Sequence, residues 1–309
     1  MPAAEESRTA AETATQPACW RRAVTAAEGA EGLPRPGERV AVTGCGTSWF
    51  MAQAYAALRE QAGQGETDAF ASSEFPADRH YDRVVTITRS GTTTEVLTLL
   101  SALRGRTPTT ALTADPKTPV MDAADAVAVL DWADEESVVQ TRFATTALAF
   151  LRAGLERHGT LPPGVKPVTE AAADAELAIT QPLPAAVLGA EQWTFLGRGW
   201  TYGLAQEAAL KMREAARAWT EAYPAMEYRH GPISITGPGR VAWIFGDLPE
   251  GLSGEVDRIG GTLIADSDGG LDPMADLIRA QRLAVAVAES KGHNPDHPRN
   301  LTRSVILTD

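Results

Sequence analysis

Three stretches of this sequence carry more reactive side chains than folding alone requires. In residues 204–235, Glu207, Lys211 and Glu214 recur at i, i+4 and i+7, so a helix puts them on one face. A carboxylate there can take a proton from carbon, and an ammonium beside it can steady the oxygen on which charge develops. The plainer possibility is a solvated helix face with one Glu–Lys pair, and spacing alone leaves both open. The pattern breaks at Tyr223-Pro224, and Tyr228-Arg229-His230-Gly231-Pro232 follows, which places a histidine at a turn. Residues 43–50 read Thr-Gly-Cys-Gly-Thr-Ser-Trp-Phe: the glycines allow a tight turn after a strand, and Thr47 and Ser48 open a helix. Free backbone N–H groups and hydroxyls at such a point attract a phosphate, although an ordinary Ser/Thr helix cap reads the same way. Residues 86–95 repeat the arrangement, with Thr88, Ser90, Thr92, Thr93 and Thr94 around Gly91. A cap uses one or two hydroxyls; this surplus points to donors for an oxyanion, with Arg89 as an extra cation. Two such loops at the carboxyl ends of neighbouring parallel strands converge where α/β folds place ligands.

These groups need a frame to hold them. β-rich runs at 39–43, 83–88, 109–113 and 126–130 alternate with helical patterns at 49–60, 93–103 and 141–157, which predicts a parallel sheet. Residues 1–16 read as disordered or loosely attached, and a helix is expected over 18–28. Proline-rich residues 161–167 open a linker, followed by a helix over 169–179. After Pro184 the order restarts: a strand at 193–196, Gly197-Arg198-Gly199, a helix over 202–217, strands at 240–245 and 261–265, and a helix over 274–290. Placing Gly44 on Gly197 also superposes Gly46 on Gly199, Ala52 on Ala205 and Gln53 on Gln206, which reads as an internal repeat. The expected fold is α/β, with two similar lobes, each a three-layer αβα unit about a parallel sheet. The expected organisation is an N-terminal tail and helix start at 1–24, lobe one at 25–160, a linker helix at 161–184 and lobe two at 185–309.

Composition sets outer limits. The chain has 309 residues, 44% hydrophobic and 22% charged, enough to build two cores. A net charge of −12 argues against a nucleic-acid surface, which rests on phosphate neutralisation by Lys and Arg. Two cysteines, Cys19 and Cys45, are too few for a disulfide framework, and no run resembles a signal peptide or a membrane span. A cytoplasmic protein is expected, with no membrane partner. Only Lys117, Lys166, Lys211 and Lys291 are lysines, so Schiff-base chemistry has few candidates.

The runs at 44–48, 90–95, 209–214 and 221–235, and the closing His-Asn-Pro-Asp-His-Pro-Arg-Asn-Leu-Thr-Arg-Ser-Val at 293–305, resemble the sugar isomerase (SIS) family. They are similar to the isomerase half of glutamine–fructose-6-phosphate aminotransferases. Residues 12–20, the Thr-Arg-Ser-Gly form of the second loop, and 136–142 resemble stand-alone AgaS-like amino-sugar-phosphate isomerase/deaminases. The resemblance implies flavodoxin-like lobes and an amino-sugar 6-phosphate substrate, with no metal and no cofactor. It implies phosphate contacts from Ser48, Thr88, Ser90 and Thr93, with Thr47 and the backbone near Val138 lining the sugar site. It makes Glu214 the base between C1 and C2, Lys211 the oxyanion partner and Glu207 its neighbour. His230 would assist ring opening from the neighbouring subunit of a homodimer with shared active sites.

Two departures shape the expectation. The glutaminase half with its N-terminal cysteine nucleophile is not recognisable, so use of glutamine-derived ammonia is not expected. The tail lysine that forms an imine in the aminotransferases is replaced by Arg303, whose guanidinium stays protonated and forms none. Isomerisation, deamination or deglycation is therefore expected. The alternative is a non-catalytic sugar-phosphate-binding regulatory module. Modules of that kind usually carry an N-terminal DNA-binding domain, and the roughly 38 residues before the first expected strand are too short for one.

Overall fold

The computed structural model describes residues 6–159, 161–266 and 270–307. The outer ends of the expected tail and second lobe (1–5 and 308–309) and Thr160, the end of the expected first lobe, lie outside the described residues. Along the chain run α1 (Arg8–Ala14), α2 (Gln16–Glu28), β1 (Val40–Gly44), α3 (Thr47–Gln61), β2 (Thr67–Ala71), β3 (Arg83–Ile87), α4 (Thr94–Leu103), β4 (Thr109–Thr113), α5 (Val120–Ala123), β5 (Ala126–Val129) and α6 (Arg142–His158). Then follow α7 (Val168–Ala178), α8 (Ala185–Leu188), β6 (Gln192–Gly197), α9 (Thr201–Ala216), β7 (Thr220–Pro224), β8 (Arg240–Phe245), α10 (Leu252–Arg258), β9 (Thr262–Ala265) and α11 (Pro273–Ser290). Among the described residues no helix is long and apolar enough to cross a membrane.

The chain forms two compact units, and neither is one continuous stretch. One unit comprises residues 16–135, 142–159, 161–170 and 302–307; the other comprises 6–15, 136–141, 171–266 and 270–301.

In the first unit five parallel strands lie in the order β2-β1-β3-β4-β5. This is the flavodoxin-like order, in which the chain switches direction between β1 and β3 and opens a crevice at their carboxyl ends. β1 is buried at every position, and Val84, Val85 and Ile87 of β3 are also buried, as in a sheet covered on both faces. Arg59, fully buried near the end of α3, ties the helix to the sheet: it donates to Thr67 Oγ1 at 2.7 Å and to the carbonyls of Arg35 and Glu38 at 2.7 and 2.9 Å. Such a fork of donors offsets the cost of burying a guanidinium.

The second unit contains a sheet in the order β7-β6-β8-β9, again all parallel. Edge strands β2 and β7 were not anticipated; each is buried only at its first residue. The expectation of a loosely attached N-terminus is also corrected from Arg8 onward. Ser7 caps α1 through Ala10 N, and the Asp296 carboxylate accepts from Arg8 N, Thr9 N and Thr9 Oγ1 at 2.7–3.0 Å.

The core of this unit holds a buried acid on α11, Asp276, which accepts from Trp243 Nε1 at 2.9 Å and pairs with Arg279 at 2.8 Å, while the Trp243 ring stacks with Phe245. Burial pushes its carboxyl up to about 6; Arg279 and the indole donor pull it down, and Asp266 adds to the rise. The folded chain therefore holds this proton more tightly than the unfolded chain, where a carboxyl titrates near 3.9. The stabilisation is full below that value and is lost as pH rises through about 6. The wild-type stability minus that of Asp276→Asn, from urea unfolding, should fall between about pH 4 and 7 and stay level above. A pH-independent difference would show that folding does not change the proton affinity of this carboxyl.

Candidate active site

In the first unit the two hydroxyl-rich loops follow β1 and β3, adjacent strands whose registers pair Gly44 with Ile87. The first loop is dictated by close approach. A Cβ on Gly44 would lie 2.6 Å from Ser48 Cβ and 2.7 Å from its carbonyl carbon, so only glycine lets α3 start so near the strand. Thr47 and Ser48 thereby occupy the first turn of α3, both almost buried. In the second loop, Thr88 has a buried hydroxyl with no protein partner among the described residues. Thr92 donates to Ser90 Oγ from its N–H (3.3 Å) and its hydroxyl (3.1 Å). Gly91 between them has φ 63° and no room for a Cβ, which would fall 2.0 Å from Thr118 Oγ1. Thr93 is the N-cap of α4, yet its hydroxyl makes no cap hydrogen bond. The loop thus holds hydroxyls that its own helix does not use.

The tail of the chain completes this face. Ser304 Oγ lies 3.1 Å from Ser90 Oγ, 3.0 Å from Thr92 Oγ1 and 3.4 Å from Thr93 Oγ1. Arg89, buried beside the loop, faces the fully buried Glu135 at 3.5 Å and donates to the Arg303 carbonyl at 3.3 Å. Glu135 also accepts from Arg142 N at 2.8 Å and Phe143 N at 3.4 Å, the first amides of α6, where a carboxylate is favoured. Arg303 pairs with Asp134 and donates to the Glu135 carbonyl. Sequence reasoning missed Asp134, Glu135 and Ser304. The only trace of the first two was the acidic run at 134–136, which reads as solvated charge.

In the second unit α9 follows β6 by the same device. A Cβ on Gly197 would lie 2.4 Å from Thr201 O, and Thr201 Oγ1 accepts from Arg198 N at 2.9 Å and donates to Phe245 O at 2.8 Å. The helix ends at Arg217, which takes a left-handed φ of 50°. On its face Lys211 Nζ lies 3.4 Å from Glu207 Oε1 and pairs closely with Glu214. Glu207 and Lys211 are buried, whereas Glu214 is 18% exposed and is the member open to solvent. This is not a solvated helix face: the three expected residues meet, and two are inside the protein. His230 is exposed at the end of a 3-10 turn, and among the described residues it bonds to none of the three. Val138 lies in this unit too, its N–H donating to Asp296 O at 3.1 Å. Among the described residues no cluster of three or more His, Cys, Asp or Glu side chains is arranged to hold a metal ion.

No family model matches the sequence. The glutamine–fructose-6-phosphate aminotransferase of Sulfurisphaera tokodaii is 28% identical over 296 residues, covering 87% of this chain and 50% of that protein. The chain thus spans about half the length of this curated relative. Two solved structures share this fold. Glucosamine-6-phosphate deaminase from Thermotoga maritima superposes with a TM-score of 0.80 at 22% identity, covering 97% of this chain and 100% of that one. The C-terminal domain of the glucosamine-fructose-6-phosphate aminotransferase from Francisella tularensis gives 0.77 at 20% identity, covering 96% and 100%.

The ion-pair triad on α9 has a stability consequence. Replacing Lys211 by Met removes the ammonium that Glu207 and Glu214 both face, leaving a buried carboxylate without that charge. Urea unfolding should show a loss of about 3–5 kcal/mol. Adding Glu207→Gln to Lys211→Met should recover part of it, because a neutral amide needs no cation. An equal loss in both variants would assign the cost to packing instead.

Proposed function

We propose that this protein is a phosphosugar isomerase or deaminase of the sugar isomerase (SIS) family that shifts a proton between C1 and C2 of a sugar 6-phosphate, an amino-sugar 6-phosphate in particular. The observation that carries this reading is the Glu207–Lys211–Glu214 row on α9, with its ammonium buried and one carboxylate partly open. Burying such charges is costly, and a module that only binds its ligand has no need of them. Support also comes from the hydroxyl-rich loops at the β1/β3 crevice and from the activities named for the relatives above.

Each residue then has a role. Ser48, Thr88, Ser90 and Thr93 hold the phosphate, while Thr47 and Val138 border the sugar. The Glu214 carboxylate takes the proton from the carbon beside the carbonyl, and charge passes to the oxygen, where Lys211 stabilises it. Glu214 returns the proton to the neighbouring carbon. With a 2-amino sugar the same transfer yields an imine at C2, and water adds to it to release ammonia and the ketose. Glu207 fixes Lys211. His230, supplied by a second copy of the chain in a homodimer, assists ring opening. Arg303 forms no imine, so the tail plays no covalent part.

Glu214→Gln keeps the shape but removes the base. It should lower turnover of glucosamine 6-phosphate or fructose 6-phosphate by about 100-fold or more and stop exchange with deuterated water of the C2 proton of the former and of a C1 proton of the latter. Exchange at the wild-type rate would move the base elsewhere. Ser90→Ala together with Thr93→Ala should weaken hexose 6-phosphate binding by about 2–3 kcal/mol in calorimetric titration, the worth of two hydrogen bonds. A protein that binds these sugars but catalyses neither exchange nor ammonia release would be a binding module.

A further inference from the structure

We infer that Glu12 is a positioning residue for the sugar site: its carboxylate, carried on α1, fixes the backbone that sets Val138 in place. This rests on the proposed position of Val138 beside the sugar. Residues 136–141 belong to the second unit and form no helix or strand. Their amides are therefore left for other groups to hold. α1 supplies the first holder. Glu12 Oε1 accepts from Glu136 N at 2.6 Å and from Ser137 N at 3.5 Å, and Glu12 Oε2 accepts from Ser137 Oγ. Asp296 supplies the second, its carbonyl accepting from Val138 N at 3.1 Å. Three successive amides are thus gripped from two distant points of the chain.

The two points are themselves joined. The Asp296 carboxylate accepts from Arg8 N, Thr9 N and Thr9 Oγ1, so one residue holds the start of α1 with its side chain and Val138 with its carbonyl. The bonds close a ring that runs from Asp296 through α1 and Glu12 to residues 136–138 and back. Ser137 braces it, its Oγ also lying 3.1 Å from Val139 O. Glu12 and Ser137 are both buried, so the carboxylate meets these donors out of water. Burying a carboxylate is costly unless several donors satisfy it, and here they do. A backbone held in place before the ligand arrives spares binding the cost of ordering it.

Calorimetric titration of the full chain with fructose 6-phosphate and with inorganic phosphate tests the role. In the proposed reading inorganic phosphate is held by the loops after β1 and β3, without Val138. Glu12→Ala should weaken fructose 6-phosphate binding about three- to tenfold and leave phosphate affinity unchanged. Glu12→Gln should restore it to within about twofold, because an amide can accept from Glu136 N and donate to Ser137 Oγ. If Glu12→Ala does not fold, Ser137→Ala carries the same test, with a loss of about two- to threefold for the sugar phosphate alone. Equal affinities for fructose 6-phosphate in wild type and variants overturn the role of Glu12 and leave the sugar site in place. Equal losses for both ligands also overturn it, by making Glu12 a residue of general stability. Glu12→Gln as weak as Glu12→Ala overturns it too, since charge and not position would then matter. Wild-type protein that binds fructose 6-phosphate no better than inorganic phosphate, or binds neither, removes the sugar reading and this inference with it.

Discussion

The architecture depends on one steric constraint: a parallel strand must end where the following helix begins, with no room for a side chain. Gly44 meets Ser48 and Gly197 meets Thr201 at separations that any Cβ would violate. That contact fixes the first turns of α3 and α9 at the carboxyl ends of β1 and β6. Each sheet then places its third strand beside its first, so a second loop arises next to the glycine turn. Orphan amides and short hydroxyls are present there because the helices start there. The geometry that closes the fold is the geometry an oxyanion requires.

Charge inside the units follows a strict economy. Arg89 faces Glu135, and Glu135 also caps α6, so that pair is close to neutral. With the guanidinium matched, the groups the loop presents are neutral hydroxyls. In the other unit Lys211 faces the carboxylates of both Glu207 and Glu214, and the Arg213 guanidinium interacts with both as well.

Much of this was legible in the sequence for physical reasons. Central strands such as Val-Ala-Val-Thr-Gly at 40–44 announce themselves because both faces are covered and every residue is buried. Edge strands β2 and β7, Thr-Asp-Ala-Phe-Ala and Thr-Glu-Ala-Tyr-Pro, do not, since half-exposure permits Asp, Glu and Pro and erases the pattern. The helix spacing of Glu207, Lys211 and Glu214 gave their shared face correctly, but spacing carries no information on burial. Glu135 and Ser304 escaped notice because their partners are distant in sequence: Ser304 meets Ser90 across 214 positions. The same holds for α1, which Asp296 fastens across 287 positions.

The use of lysine and arginine carries the last step. Of four lysines, Lys117 and Lys291 are exposed, Lys166 is partly buried, and only Lys211 is fully inside. A compact ammonium fits between two carboxylates three and four residues away on one helix, where a planar guanidinium would impose its own fork geometry. At the tail the preference reverses. Arg303 spans two acceptors at once, the Asp134 carboxylate and the Glu135 carbonyl, which suits a fork and gains nothing from a titratable amine. Lysine stands where one compact charge meets two carboxylates of the same helix, and arginine stands where the fork of a guanidinium holds a distant segment of chain.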